Sequence, residues 1–263
     1  MTGPLPAIVL TCQKHVPIAE HMIEAYGRLW PGHPLRFRIP DGTAARPVAA
    51  RHPGLVETVP TDEGEGRGRF RSAVLGLLAG LDDDAWVWWC IDDKYPLWID
   101  VPAARAAVDA ALRHAGPEIC GLSIVKARSL AALRDPEPLA LGGLRWLRRH
   151  DYRQIWLHQL LRVKVLRTLF GGFPEVIAAA KQMDDLHRRA TLPDDQRLYA
   201  ISANALVLGE STSGGRLLKG CAEGLRRGRG IPTGFEVDDR DVVIGRRPGL
   251  LPRLQAAVGL ADW

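Results

Sequence analysis

The chain has little cysteine, and what it has follows no metal-binding spacing. Four cysteines, Cys12, Cys90, Cys120 and Cys221, occur in 263 residues, with no CxxC pair and no histidine at zinc-finger distance. Three of them lie in or beside apolar runs, where a free thiol behaves as a small hydrophobe, so reduced structural cysteines and a reducing compartment are expected. The eight histidines form no HxxxH pair, which removes the usual helical zinc site. No apolar stretch approaches the ~20 residues of a membrane span, and the run Ala7–Leu10 lacks the basic flank and length of a secretion signal. A cytoplasmic protein is expected, with a peripheral contact at the inner face of a membrane as an addition to that reading.

Phosphate-binding loops are also missing. No G-x-G-x-x-G opens the first helix, which argues against a dinucleotide-dependent oxidoreductase. Thr11-Cys12-Gln13-Lys14-His15 does not supply the G-x-G-T-R-like loop of a nucleotidyltransferase. Gly64-Glu65-Gly66-Arg67-Gly68 is no Walker A sequence, and its glutamate opposes phosphate; Arg69 follows it as a candidate phosphate contact. Hydrophobic content of 46%, charged content of 25% and a net charge of +5 describe an ordinary globular chain suited to an anionic ligand, without demanding nucleic acid.

What is present is strand–helix alternation. Ala7–Thr11 is a short apolar run, the pattern of a strand buried on both faces. Pro17 then opens a helix with Ile18, Met22, Ala25 and Leu29 on one stripe, stopped by Pro31-Gly32. Leu35–Ile39 and Gly54–Val59 read as strands, Phe70–Leu81 as a helix, Ala85–Ile91 as a strand, Val101–His114 as a helix and Ile119–Val125 as a strand. The arrangement predicts one α/β domain over 1–263 with a mostly parallel central sheet flanked by helices and a more helical C-terminal part. Residues of about 5–130 would form a nucleotide-binding half and about 131–263 an acceptor-side half and tail. Asp62–Gly68 reads as a loop and Arg145–Phe170 as a basic amphipathic helix or helix pair. Pro174–Arg188 reads as a helix, Ala205–Leu208 as a strand and Glu236–Ile244 as a hairpin-like segment.

The most informative segment is AWVWWCI, residues 85–91, running directly into Asp92-Asp93. In an open α/β sheet, ligands bind beyond the carboxyl ends of strands. A carboxylate pair there suits Mn²⁺ or Mg²⁺, which one or two carboxylates hold together with phosphate oxygens. The bland alternative is a turn and helix cap, as Asp82-Asp83-Asp84 reads. Thr11, Cys12 and Asp41 end the first two strands, where they meet a nucleoside or merely close a strand. Lys94 and Tyr95 follow the acidic pair, within reach of a sugar or in an exposed loop.

Helix, AWVWWCIDDKYP and second helix together resemble the nucleotide-binding core of GT-A-fold glycosyltransferases, in particular bacterial enzymes of polysaccharide or cell-surface glycan synthesis. The Gln154-Ile155-Trp156…Leu160-Leu161 run is similar to a later segment of those enzymes, and the likeness extends loosely over 5–175. The resemblance implies a Rossmann-like GT-A sheet and Asp92 and Asp93 as metal ligands. It also implies a nucleotide-sugar donor, a glycan or lipid-linked acceptor, no nucleic acid, and Trp156 near the substrate. The family's aromatic–acidic motif is matched only in part by Gly171–Glu175, so Glu175 is the first candidate base, with Asp184 and Asp185 behind it. A non-enzymatic alternative is a basic scaffold touching membrane or nucleic acid through the Arg145–Arg167 helix.

Overall fold

The computed structural model describes residues 3–61, 69–126, 138–177, 180–245 and 247. The loop expected over Asp62–Gly68, with Arg67, lies outside them. Strand β1 (Leu5–Leu10) leads to helix α1 (Val16–Leu29), then β2 (Leu35–Pro40), α2 (Ala45–Arg51) and β3 (Val56–Val59). Next come α3 (Phe70–Leu77), β4 (Trp86–Ile91), β5 (Lys94–Ile99), α4 (Val101–Arg113) and β6 (Ile119–Ser123). The expected strands and helices of this half are therefore found, with boundaries moved by a few residues. Helix α1 buries Ile18, Met22 and Ala25 as its stripe requires. At α4 the Asp100 carboxylate accepts from the Ala103 amide at 3.1 Å and Pro102 sits in the first turn, two start signals reinforcing each other.

Beyond 137 the elements are β7 (Leu139–Leu141), β8 (Leu144–Arg149), β9 (Gln159–Arg162), α5 (Val163–Gly171) and α6 (Ala180–Arg189). Then follow β10 (Arg197–Ile201), β11 (Leu206–Glu210), β12 (Thr212–Ser213), β13 (Arg216–Leu218), α7 (Lys219–Gly228), β14 (Val237–Asp238) and β15 (Val243–Ile244). The large sheet runs β3-β2-β1-β4-β9-β6-β10-β8-β7. Only β8 and β9 run against the other strands, so the sheet is mostly parallel in strand direction. It is a Rossmann-like α/β fold.

Period-two alternation sorts the core. Ala7, Val9, Trp88 and Cys90 face one layer with residues of α1, α4 and α7. Ile8, Leu10, Val87, Trp89 and Ile91 face the other, with residues of α3 and α5. Every residue of β4 is buried, as a strand flanked on both edges and both faces must be.

The long basic helix over Arg145–Phe170 is not formed. Strand β9 sits between β4 and β6 with all four residues buried, and only α5 is helical. Two of its arginines are interior. Arg162 donates to the carbonyls of Asp84 (2.6 Å), Ile119 (3.0 Å) and Gly116 (3.1 Å) and lies over the Trp86 ring. Arg149 donates to Gln159 Oε1 at 2.7 Å, and burial pulls its pKa down to about 10. Of the other arginines in that stretch, Arg145 and Arg153 are exposed. Strands β14 and β15 also do not form a hairpin: β14 pairs with β13 and β15 with β11.

Candidate functional site

Connections set the position of the site. From β1 the chain moves through α1 and α2 to β2 and β3 on one side, while β4 pairs with β1 on the other. Strand order reverses there, which makes a crevice at the carboxyl ends of β1 and β4. Thr11 and Cys12 leave one strand at that point, and Asp92-Asp93 leave the other. The Asp92 amide donates to the Leu10 carbonyl at 3.2 Å, so the ladder between the strands reaches the acidic pair.

Asp92 and Asp93 form a two-residue turn that carries the chain from the large sheet into β5 of a small one, ordered β15-β11-β5. Each carboxylate has one oxygen engaged. Asp92 Oδ2 lies 3.3 Å from His15 Nδ1, and Asp93 Oδ1 accepts from Lys94 Nζ at 3.0 Å. Asp92 Oδ1 and Asp93 Oδ2 have no hydrogen-bond partner among the described residues. Burial opposes charge on His15, but the Asp92 carboxylate outweighs it and raises the imidazole pKa. The Asp93 side chain keeps 40% of its surface exposed, yet protein packed around it raises its pKa; Lys94 opposes that shift and Asp92 adds to it.

Lys94 is not on an exposed loop. Its side chain is 2% exposed, and its ammonium also lies 3.8 Å from Glu210 Oε1 at the end of β11. Burial lifts the Glu210 carboxyl to about 6, with Lys94 opposing and Asp93 adding. The Ser211 amide donates to the Asp93 carbonyl. Tyr95 is buried against His21, and Gly209 opposite it leaves no room for a Cβ, which would meet the Tyr95 ring at 2.9 Å.

The nucleoside-side residues are held by a side chain that pattern reading passed over. Gln13 Nε2 donates to the Asp41 carbonyl (3.3 Å), and its Oε1 accepts from the Ala44 amide (3.0 Å). It lies so close over Gly42 that a Cβ there would come within 2.2 Å of it. The Asp41 carboxylate is taken by Arg46 at 2.8 and 3.1 Å, which lowers its pKa. Thr11 is buried and Cys12 exposed. Phe235 comes over this edge from the C-terminal side, with Lys14 Nζ 4.4 Å above its ring and the His15 ring 5.4 Å away.

The donor set suits a hard divalent cation. Two carboxylate oxygens have no partner among the described residues, and such ions accept one or two carboxylates completed by phosphate oxygens and water. Among the described residues the one cluster able to enclose an ion by itself is Glu20, Glu24 and His52. Arg51 and Arg229 already pair with its carboxylates, so it is an ion-pair network.

The remaining candidates gather on the other face of the sheet. Trp156 precedes β9, whose first residue pairs with Trp89, and its indole donates to His187 Nδ1 of α6 at 3.0 Å. Asp184 Oδ1 lies 4.0 Å from that same nitrogen, and Asp185 is its neighbour on α6. Glu175 is exposed and lies ahead of α6, not in the first turn of a helix, since α6 begins at Ala180. Two residues before it, the Phe173 carbonyl accepts from Arg71 of α3 at 3.4 Å. Arg69 is exposed at the start of α3. No contact among the described residues joins Glu175, Asp184 or Asp185 to Asp92 or Asp93.

No family model matches the chain, and no curated protein does. Solved structures that match include a 4-diphosphocytidyl-2C-methyl-D-erythritol synthase, 18% identical over 86% of this chain and 99% of that one, with a TM-score of 0.41.

Proposed function

We propose that the chain is a transferase that takes a nucleoside-diphosphate sugar and a divalent cation, Mn²⁺ or Mg²⁺, and passes the sugar to a glycan or lipid-linked acceptor. The observation that carries this reading is the acidic pair at the strand-order reversal, with one oxygen of Asp92 beside His15, one oxygen of Asp93 held by Lys94, and the other oxygen of each without a partner among the described residues. Asp92 and Asp93 hold the cation, which stabilises the departing diphosphate. Thr11, Cys12 and the Gln13-clamped turn at Asp41 border the nucleoside. Glu175, Asp184 and Asp185 sit on the other face of the sheet from the acidic pair, so none of them is assigned as the base.

Lys94 and Tyr95 support the site from within the small sheet in this reading. No helix among the described residues is long and apolar enough to cross a membrane, so a lipid-linked acceptor would be met at a surface. The test is a thermal-shift panel of UDP-, GDP- and CMP-sugars with and without Mn²⁺. Stabilisation by one diphosphate class only when Mn²⁺ is present supports the reading. No shift with any of them rejects it.

A further inference from the structure

Resting on that reading of the acidic pair, we infer that Glu210 is a positioning residue for cation binding, acting through Lys94 on Asp93. The three side chains come from two strands of the small sheet and the turn before them. Lys94 and Glu210 are directly opposite in the antiparallel pairing of β5 with β11. The Lys94 ammonium is thereby held between two carboxylates, at 3.0 Å from Asp93 and 3.8 Å from Glu210, with its side chain 2% exposed and that of Glu210 9% exposed.

A buried ammonium needs negative partners, and two carboxylates lie within reach of this one. Glu210 lies away from solvent, so it draws Lys94 inward. Asp93 is half open and keeps Oδ2 for an incoming ion. Without the Glu210 charge, the ammonium would lean further toward Asp93 and compete there with a divalent cation. Groups that orient a metal ligand from behind typically change metal affinity by about 10–100-fold when altered.

The test is Mn²⁺ binding to the full chain, read by electron paramagnetic resonance of free Mn²⁺ and paired with a melting curve. Glu210→Gln is expected to weaken Mn²⁺ by about tenfold or more while the fold persists. Lys94→Met/Glu210→Gln removes the competing ammonium together with its partner and should restore binding to wild-type strength or above. Unchanged affinity in Glu210→Gln, or equal weakening in the single and double variants, overturns the inference and leaves the metal reading standing. A wild-type chain that binds no Mn²⁺ overturns both. If Glu210→Gln fails to fold, the double variant decides alone: binding tenfold below wild type overturns the inference, and wild-type binding supports it.

Discussion

Tyr26 and His158, far apart in sequence, meet at 2.8 Å in the core directly beneath the acidic pair. The Trp88 indole donates to Tyr26 Oη at 3.1 Å, and His158 Nε2 lies 3.1 Å from the carbonyl of Ile91, the residue before Asp92. One proton arrangement satisfies the whole chain: Trp88 to Tyr26, Tyr26 to His158 Nδ1, and His158 Nε2–H to Ile91. It links α1, β4 and the approach to β9 to the backbone that aims the carboxylates.

Tyr26→Phe keeps the ring and leaves two buried polar atoms without their partner. A loss of about 1–3 kcal/mol is expected, measured by denaturant unfolding. An unchanged midpoint would show that the hydroxyl contributes nothing there.

Burial depresses the His158 pKa to about 3. The folded value lies below the unfolded one, so the fold favours the neutral ring. That contribution is present above the unfolded pKa of about 6.5 and is lost as pH falls toward 3. His21, depressed to about 4 chiefly by burial, acts in the same direction. Melting temperature should therefore drop between pH 7 and 4.5, and the His158 ring signal should not titrate between pH 8 and 5. An NMR midpoint near 6.5 for His158 would contradict the relay.

Glu20 is 2% exposed on α1 and is surrounded by Arg51, His52 and Arg229. Burial opposes its charge, but these partners win and lower its pKa. Through Arg229 it ties α7 to α1, and through Arg51 and His52 it ties in the end of α2. Glu20→Ala leaves cations facing one another. The cost should be about 2–3 kcal/mol, below the fully buried case because the partners reach solvent. Chemical denaturation measures it, and a loss under ~0.5 kcal/mol, the size of an ordinary surface substitution, would mean the network is merely superficial.

The first half of the fold was legible because its strands are short apolar runs bounded by Pro and Gly. AIVLT and AWVWWCI admit few other readings, and the helices α1 and α4 that come after them carry Pro17 and Pro102 in their first turns. Strand β5 escaped notice since KYPLWI begins with a charge and holds Pro96. It is an edge strand, where proline is tolerated. The misread Arg145–Phe170 stretch shows another limit. Arginines there looked like a solvated helix face, but Arg149 and Arg162 are interior, the latter satisfied by carbonyls from chain segments far away in sequence. Glu210 and His158 stand alone in the sequence, and only tertiary contacts connect them toward Asp92-Asp93, as they connect Gln13 to Asp41. The carboxyl-edge position of that pair could be read in advance. Its braces could not.

The most direct measurement is calorimetric titration of UDP and GDP, with and without Mn²⁺, into the wild-type chain and Asp93→Asn. Mn²⁺-dependent binding of one nucleotide by the wild type is expected, and Asp93→Asn should lose it while melting at an unchanged temperature. Equal binding by the two proteins, or binding indifferent to Mn²⁺, would contradict the assignment of Asp92-Asp93 as the cation site.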